Sequence, residues 1–164
     1  MPRIILLSFL ALTILSPLMA STPGVSAANA QVFITDSEKA EFLKAAENGN
    51  LNKIKQMCES MPEIIKTADK DEWTALLYAA RFGRLDVVKY LLDKGAKIDE
   101  MDVDRYTALH HAAAFGHKST CEYLLKKGAK INARTKGAVT ARRLAESNGH
   151  ENVADFLEGK GGVR

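Results

Sequence analysis

A repeat of fixed length constrains the fold of this chain more than any other feature. Thr74, Thr107 and Thr140 stand 33 residues apart, as do Ala79, Ala112 and Ala145; Gly83, Gly116 and Gly149; Leu91, Leu124 and Leu157; and Gly95, Gly128 and Gly161. One step earlier the spacing is 34, pairing Ala45, Ala46, Gly49, Ile54 and Met57 with Ala79, Ala80, Gly83, Val88 and Leu91. Self-similarity at this period specifies stacked supersecondary units rather than a single closed core.

One copy can be read from its residues. The Thr74 hydroxyl suits a helix N-cap. Leu76, Ala79 and Ala80 follow at spacings of three and four, which puts them on one helical face. The small alanines allow a partner helix to approach closely. Gly83 is placed to end the helix in a left-handed conformation. Val87, Val88, Leu91 and Leu92 form the apolar face of a second helix, which Gly95 ends. Asp69, Asp71, Asp102 and Asp104 fall in the connectors, where aspartate favours tight turns. The unit is therefore helix, turn, helix, extended turn, and it must stack on its neighbours to bury its apolar face.

The copies read ThrAlaLeuLeuTyrAlaAla from 74, ThrAlaLeuHisHisAlaAla from 107 and ThrAlaArgArgLeuAla from 140. This pattern resembles the ankyrin repeat, whose signature is Thr-Pro-Leu-His-x-Ala at the same period. Alanine stands at 75, 108 and 141 where that family usually has proline; proline suits the first helical position but is not required there. The resemblance implies an all-α ankyrin-repeat solenoid of stacked helix-turn-helix units with β-turn or hairpin connectors. Its expected span is 38–161, in repeats of about 38–68, 69–101, 102–134 and 135–161, with a frayed tail at 162–164. Glu41 and Lys44 in the first repeat, and Arg142, Arg143 and Glu158 in the fourth, replace apolar positions of the interior copies. They are expected to make these two repeats polar caps. The alternative is a truncated array with Arg142 forced into an apolar interface.

The first 30 residues are of another kind. Arg3 is their only charged side chain, Ile4 to Leu15 is almost unbrokenly apolar, and Pro17 ends the run. Small-residue sites follow at Val25-Ser26-Ala27 and Ala28-Asn29-Ala30. The segment 1–30 is expected to be a secretory signal peptide, with cleavage after Ala27 or Ala30 and Ala20 as a third choice. The competing reading is an uncleaved anchor, for which the apolar run is short. Residues 31–37 are a short linker, and the mature protein is expected in the periplasm or outside the cell, off the membrane. Export raises the question of a Cys58–Cys121 disulfide. Two repeat steps of roughly 8–10 Å separate the two positions, beyond the reach of a disulfide, so both are expected as small core residues.

The resemblance to ankyrin repeats implies that function lies on a concave face, lined by connector tips and the outer parts of the first helices. The positions are Lys70, Asp71, Trp73, Arg81 and Phe82 in repeat two, and Val103, Asp104, Tyr106, Ala114 and Phe115 in repeat three. Lys136, Gly137, Val139, Ser147 and Asn148 follow in repeat four, with Glu47 and Asn48 in repeat one. The one tryptophan of the chain lies here. Trp73, Phe82, Tyr106 and Phe115 are expected to form an aromatic patch for a protein partner, edged by Lys70, Asp71, Arg81 and Asp104. The alternative is that Trp73 and Tyr106 lean on the connectors and only stiffen the array. Tyr90, Tyr123 and Phe156 recur at second-helix positions and are expected to pack between repeats.

No phosphate loop, nucleophile elbow or Cys–His pairing occurs, so no enzyme activity and no cofactor are expected. His110 and His111 are adjacent, which points them about 100° apart on a helix and makes a poor metal chelate. A haem- or small-molecule-binding protein using these two histidines remains a lesser reading. Charged residues make up 26% of the chain at a net charge of +3, interspersed in sign, which argues against nucleic acid as a partner. The expectation is an exported monomer that binds a protein, or a secreted microbial effector that uses the same face on a host protein.

Overall fold

The computed structural model describes residues 33–163, so the expected signal peptide and the first two residues of the expected linker lie outside the described residues, while Asp36 and Ser37 of that linker already belong to the first helix. The first unit begins with Thr35-Asp36-Ser37-Glu38, a capping box. The Glu38 amide donates to Thr35 Oγ1 at 3.2 Å, and the Thr35 amide donates to the Glu38 carboxylate at 2.8 Å. From there run α1 (Asp36–Asn48), α2 (Leu51–Ser60) and a 3-10 turn, Pro62–Lys66. The later units repeat one plan: α3 (Ala75–Arg81) with α4 (Leu85–Asp93), α5 (Ala108–Ala114) with α6 (Lys118–Lys126), and α7 (Ala141–Ser147) with α8 (Glu151–Gly159).

The recurrent threonines are the N-caps. Thr74, Thr107 and Thr140 each accept from the amide three residues on, that of Leu77, His110 or Arg143. Within every unit the two helices pack together; α1, α3, α5 and α7 also pack in series, as do α2, α4, α6 and α8. Ala46, Ala79, Ala80, Ala112, Ala113 and Ala145 are wholly enclosed between the first helices, while Ile54, Val88, Leu91, Leu124 and Leu157 close the core from the second helices. Burying each of these larger side chains is worth about 1.5–3 kcal/mol. Cys58 and Cys121 are buried free thiols, as their repeat positions require.

Gly83 shows why the inter-helix glycine recurs. Its φ is +64°, and a Cβ added there would sit 2.6 Å from the His117 ring. That ring crosses the glycine to donate from Nε2 to the Arg81 carbonyl at 2.9 Å, tying repeat three to the end of α3. Arg84 does the same work one step earlier, donating to the Glu47 carbonyl at 2.9 Å.

The connectors are short hairpins. The amides of Asp69, Asp102 and Thr135 donate to the carbonyls of Trp73, Tyr106 and Val139. Glu72, Arg105 and Ala138, at φ +62°, +64° and +57°, close the three-residue loops in the left-handed region. Neighbouring hairpins join edge to edge, Val103 N–H donating to Asp71 O and Lys136 N–H to Asp104 O. This row of tips overhangs the first helices and forms one wall of the concave face.

The end of the array corrects one expectation. Residues 162 and 163 are not frayed. Val163 N–H donates to Asn132 Oδ1 at 2.9 Å, Thr140 Oγ1 donates to Val163 O at 2.6 Å, and Gly162 is buried. The tail thus satisfies polar groups of the third and fourth repeats. Arg142 is similarly provided for: its side chain is only 11% exposed, but Nη2 pairs with Glu146 at 3.2 Å and Glu158 at 3.0 Å. At the other end Glu41 pairs with Lys53, and Lys44 with Glu47, on the outer surface of the first unit.

Candidate functional site

The concave face is assembled from paired aspartates and aromatics. Asp69 Oδ1 accepts from the amides of Asp71 and Trp73, and Oδ2 accepts from the Tyr78 hydroxyl at 2.8 Å. One repeat on, Asp102 Oδ1 accepts from the amides of Asp104 and Tyr106, and Oδ2 accepts from His111 Nε2 at 3.0 Å. Each aspartate thus folds its hairpin and also fixes a ring on the following first helix. Thr135 holds only the loop of the fourth repeat, through Val139 N–H at 3.2 Å.

These supports place the aromatics in a row. Trp73 lies 5.0 Å from Tyr78 and 4.4 Å from His111, and His111 stacks on Tyr106 at 5.4 Å, all between ring centroids. The buried His111 thus joins Trp73 and Tyr106 on one surface. Both rings are half-buried, so they brace the hairpins as well as line the groove. Arg81 gathers the remaining members. Its guanidinium lies 5.3 Å from the Trp73 ring, 6.0 Å from Phe82 and 4.7 Å from Phe115. Phe82 and Phe115, both beside Arg81, stay 38% and 45% exposed, which is unusual for phenylalanine. An open cleft of about 310 Å³ adjoins them, lined by Glu47, Asp69, Asp71, Trp73, Tyr78, Arg81 and Phe82.

Of the residues expected from the sequence, Trp73, Arg81, Phe82, Tyr106 and Phe115 come together in this row. Asp71 reaches the cleft from the tip. Lys70 and Asp104 stand exposed on the tips, Asp104 next to Lys136 at 3.8 Å. Tyr78 and His111 were missing from the expected set. Their signal is the nine-residue interval that both keep from an aspartate, Asp69 to Tyr78 and Asp102 to His111.

Burial sets the charge state of the site. It pushes the Tyr78 hydroxyl up to about 12, with the Asp69 carboxylate adding to the effect. Burial holds His111 below the ordinary imidazole value, against the opposing pull of Asp102. His111 is thus neutral at pH 7, with its proton on Nε2 toward Asp102. Burial likewise lowers His110. Its Nδ1 accepts from the Thr107 amide at 3.2 Å, and Nε2 donates to the carbonyls of Ala133 at 3.1 Å and Val139 at 3.3 Å. Both ring nitrogens of His110 are thereby engaged, Nδ1 at the cap of its own helix and Nε2 reaching Val139 of repeat four. Among the described residues no group of three or more His, Cys, Asp or Glu is arranged to hold a metal ion, and no helix is long and apolar enough to cross a membrane.

Comparison with known proteins agrees with this architecture. The family model "Ankyrin repeats (3 copies)" matches residues 26–102, 42–135 and 98–162. The chain is 34% identical over 55 residues to the human NAD-capped RNA hydrolase NUDT12, covering 34% of this chain and 12% of that protein. It is 34% identical over 82 residues to the palmitoyltransferase AKR1 of Yarrowia lipolytica, 49% of this chain and 12% of that protein. With a homologue of transient receptor potential cation channel subfamily A member 1 from Caenorhabditis elegans it shares 36% over 61 residues, 37% of this chain and 5% of the relative. The match spans only 5–12% of the length of these curated relatives. Ankyrin arrays generally mediate protein–protein interaction and are typically non-catalytic. Family match, helix pairing and hairpin row coincide over the same residues, and the chain belongs to the ankyrin-repeat family.

Proposed function

We propose that this is an exported ankyrin-repeat protein that grips another protein through its concave face and performs no chemistry on it. The observation that carries the reading is the continuous row Trp73–His111–Tyr106, flanked by Phe82, Arg81 and Phe115. Aromatic and arginine side chains dominate interface energies because they offer large, stiff, partly apolar surfaces. Lys70, Asp71 and Asp104 on the tips orient the partner. Export is supported by the leader's lone Arg3, its apolar stretch and its small-residue cleavage sites. The mature protein then works as a monomer in the periplasm or outside the cell, clear of membrane and nucleic acid. A host protein as target would use the same face, and fractionation of the source cells separates that role from a resident one. Engagement of both His110 nitrogens weighs against a haem- or metal-binding role.

The test is crosslinking and capture of the mature protein in its own compartment, followed by mass spectrometry and an affinity measurement on the captured partner. Combining Trp73→Ala with Tyr106→Ala is expected to weaken binding at least about thirtyfold, the cost of losing one hot-spot residue. Unchanged affinity in the double variant rejects the proposed face.

A further inference from the structure

Arg81 is a cation surrounded by rings and lacking an anion. Two described arginines are neither fully buried nor fully exposed. Arg142 is matched by Glu146 and Glu158, whereas no carboxylate pairs with Arg81 among the described residues. The Arg81 guanidinium instead lies over the rings of Trp73, Phe82 and Phe115, within cation–π distance of each. Rings do not accept the in-plane N–H groups, which form a planar fork matched to a carboxylate. The helix end beneath is already tied off, because the Arg81 carbonyl accepts from His117.

We infer that Arg81 receives one aspartate or glutamate side chain from an extended segment of the partner protein, with an apolar neighbour of that acid lying on Phe82 and Phe115. This rests on the protein-binding reading of the concave face. Three features narrow the ligand. Glu47, Asp69 and Asp71 line the same cleft, so they repel a second acid and exclude an acidic run. A chain-terminal carboxylate is normally held by free backbone N–H groups. Here the tip amides of Asp71, Val103, Asp104 and Lys136 already donate within the hairpin row. The exposure of Phe82 and Phe115, on successive repeats beside Arg81, supplies the apolar bed.

Trp73 is the single tryptophan of the chain, so its fluorescence reports directly on this site. The probe is a random linear peptide library displayed internally, with no free C-terminus, selected on the purified full-length mature protein. Binders are resynthesised with amidated ends and titrated by Trp73 emission. The expected binders carry a single Asp or Glu at a fixed position beside an apolar residue. Replacing that acid by its amide, or making Arg81→Gln, weakens binding about ten- to a hundredfold, and the two changes together cost little more than either alone. Arg81→Lys keeps the charge without the fork and recovers part of the loss. Thermal melts establish that each variant is folded. Binders that weaken in Phe115→Ala and Tyr106→Ala but not in Arg81→Gln overturn the carboxylate inference and leave the concave-face reading standing. Acidic runs outcompeting single acids also overturn it. Binders indifferent to all three variants, or the absence of any binder that changes Trp73 emission, overturn both.

Discussion

Replacing Arg105 with glycine is expected to stabilise the array. Arg105 closes the third-repeat hairpin at φ +64°, with its amide donating to Asp102 O at 2.8 Å. A residue with a Cβ loses about 1–2 kcal/mol in the left-handed region. Glycine removes that cost but adds about 0.4–1 kcal/mol of unfolded-state entropy. The net gain is about 0.5–1 kcal/mol. An array of roughly 130 ordered residues unfolds with an entropy near 0.27 kcal/mol/K, so the melting temperature should rise by about 2–4 °C. Calorimetry on Arg105→Gly reads this directly. Arg105→Ala is the control, since it removes the guanidinium but keeps the Cβ, and should move the midpoint by less than about 1 °C. A fall in Arg105→Gly, or an equal rise in Arg105→Ala, would refute the attribution to backbone strain.

Other positions give separate tests. Gly83→Ala should cost about 2–3 kcal/mol, because the left-handed penalty adds to displacement of His117 from the Arg81 carbonyl. Gly95→Ala, at φ +92° with nothing within 4 Å of an added Cβ, should cost only the backbone part; equal denaturation midpoints for the two variants would contradict this. His110 and His111 have folded values below their unfolded ones, so the unfolded chain takes up protons first as the medium is acidified. Stability should therefore be complete above the unfolded value near 6.5 and fall progressively below it. A melting series should show the slope, and His110→Leu with His111→Tyr, the pair that repeat two carries at Leu77 and Tyr78, should flatten it. Native Cys58 and Cys121 should resist a thiol reagent until the protein unfolds, since burial raises both thiols, Cys121 to about 12. Rapid labelling of either would place it outside the core.

Much of the fold was legible because the chain states it several times. The threonine caps, the glycines after the first helices and the apolar faces of the second helices each recur in register, and repetition removes the ambiguity of any one copy. The hairpin closures were hidden for the opposite reason. Glu72, Arg105 and Ala138 are three unlike residues, none of them glycine, and nothing in their chemistry announces a positive φ. The bonding of the tail was also out of sight, since Val163 depends on Asn132 and Thr140, both more than twenty residues away. At the candidate site the positions of Trp73 and Tyr106 followed from the period alone. The part of His111 did not, because it needs three partners, Asp102, Trp73 and Tyr106, of which none is its neighbour in sequence. The gathering of rings from two repeats around Arg81 is likewise a product of stacking and has no local signature.

Hydrogen exchange of the mature protein, with and without its captured partner, bears most directly on the central proposal. The expected result is new protection at the tips 69–73 and 102–106 and along α3 and α5. The outer helices α4 and α6 should exchange as before. Protection confined to α4 and α6, with the tips unchanged, would contradict binding through the concave face.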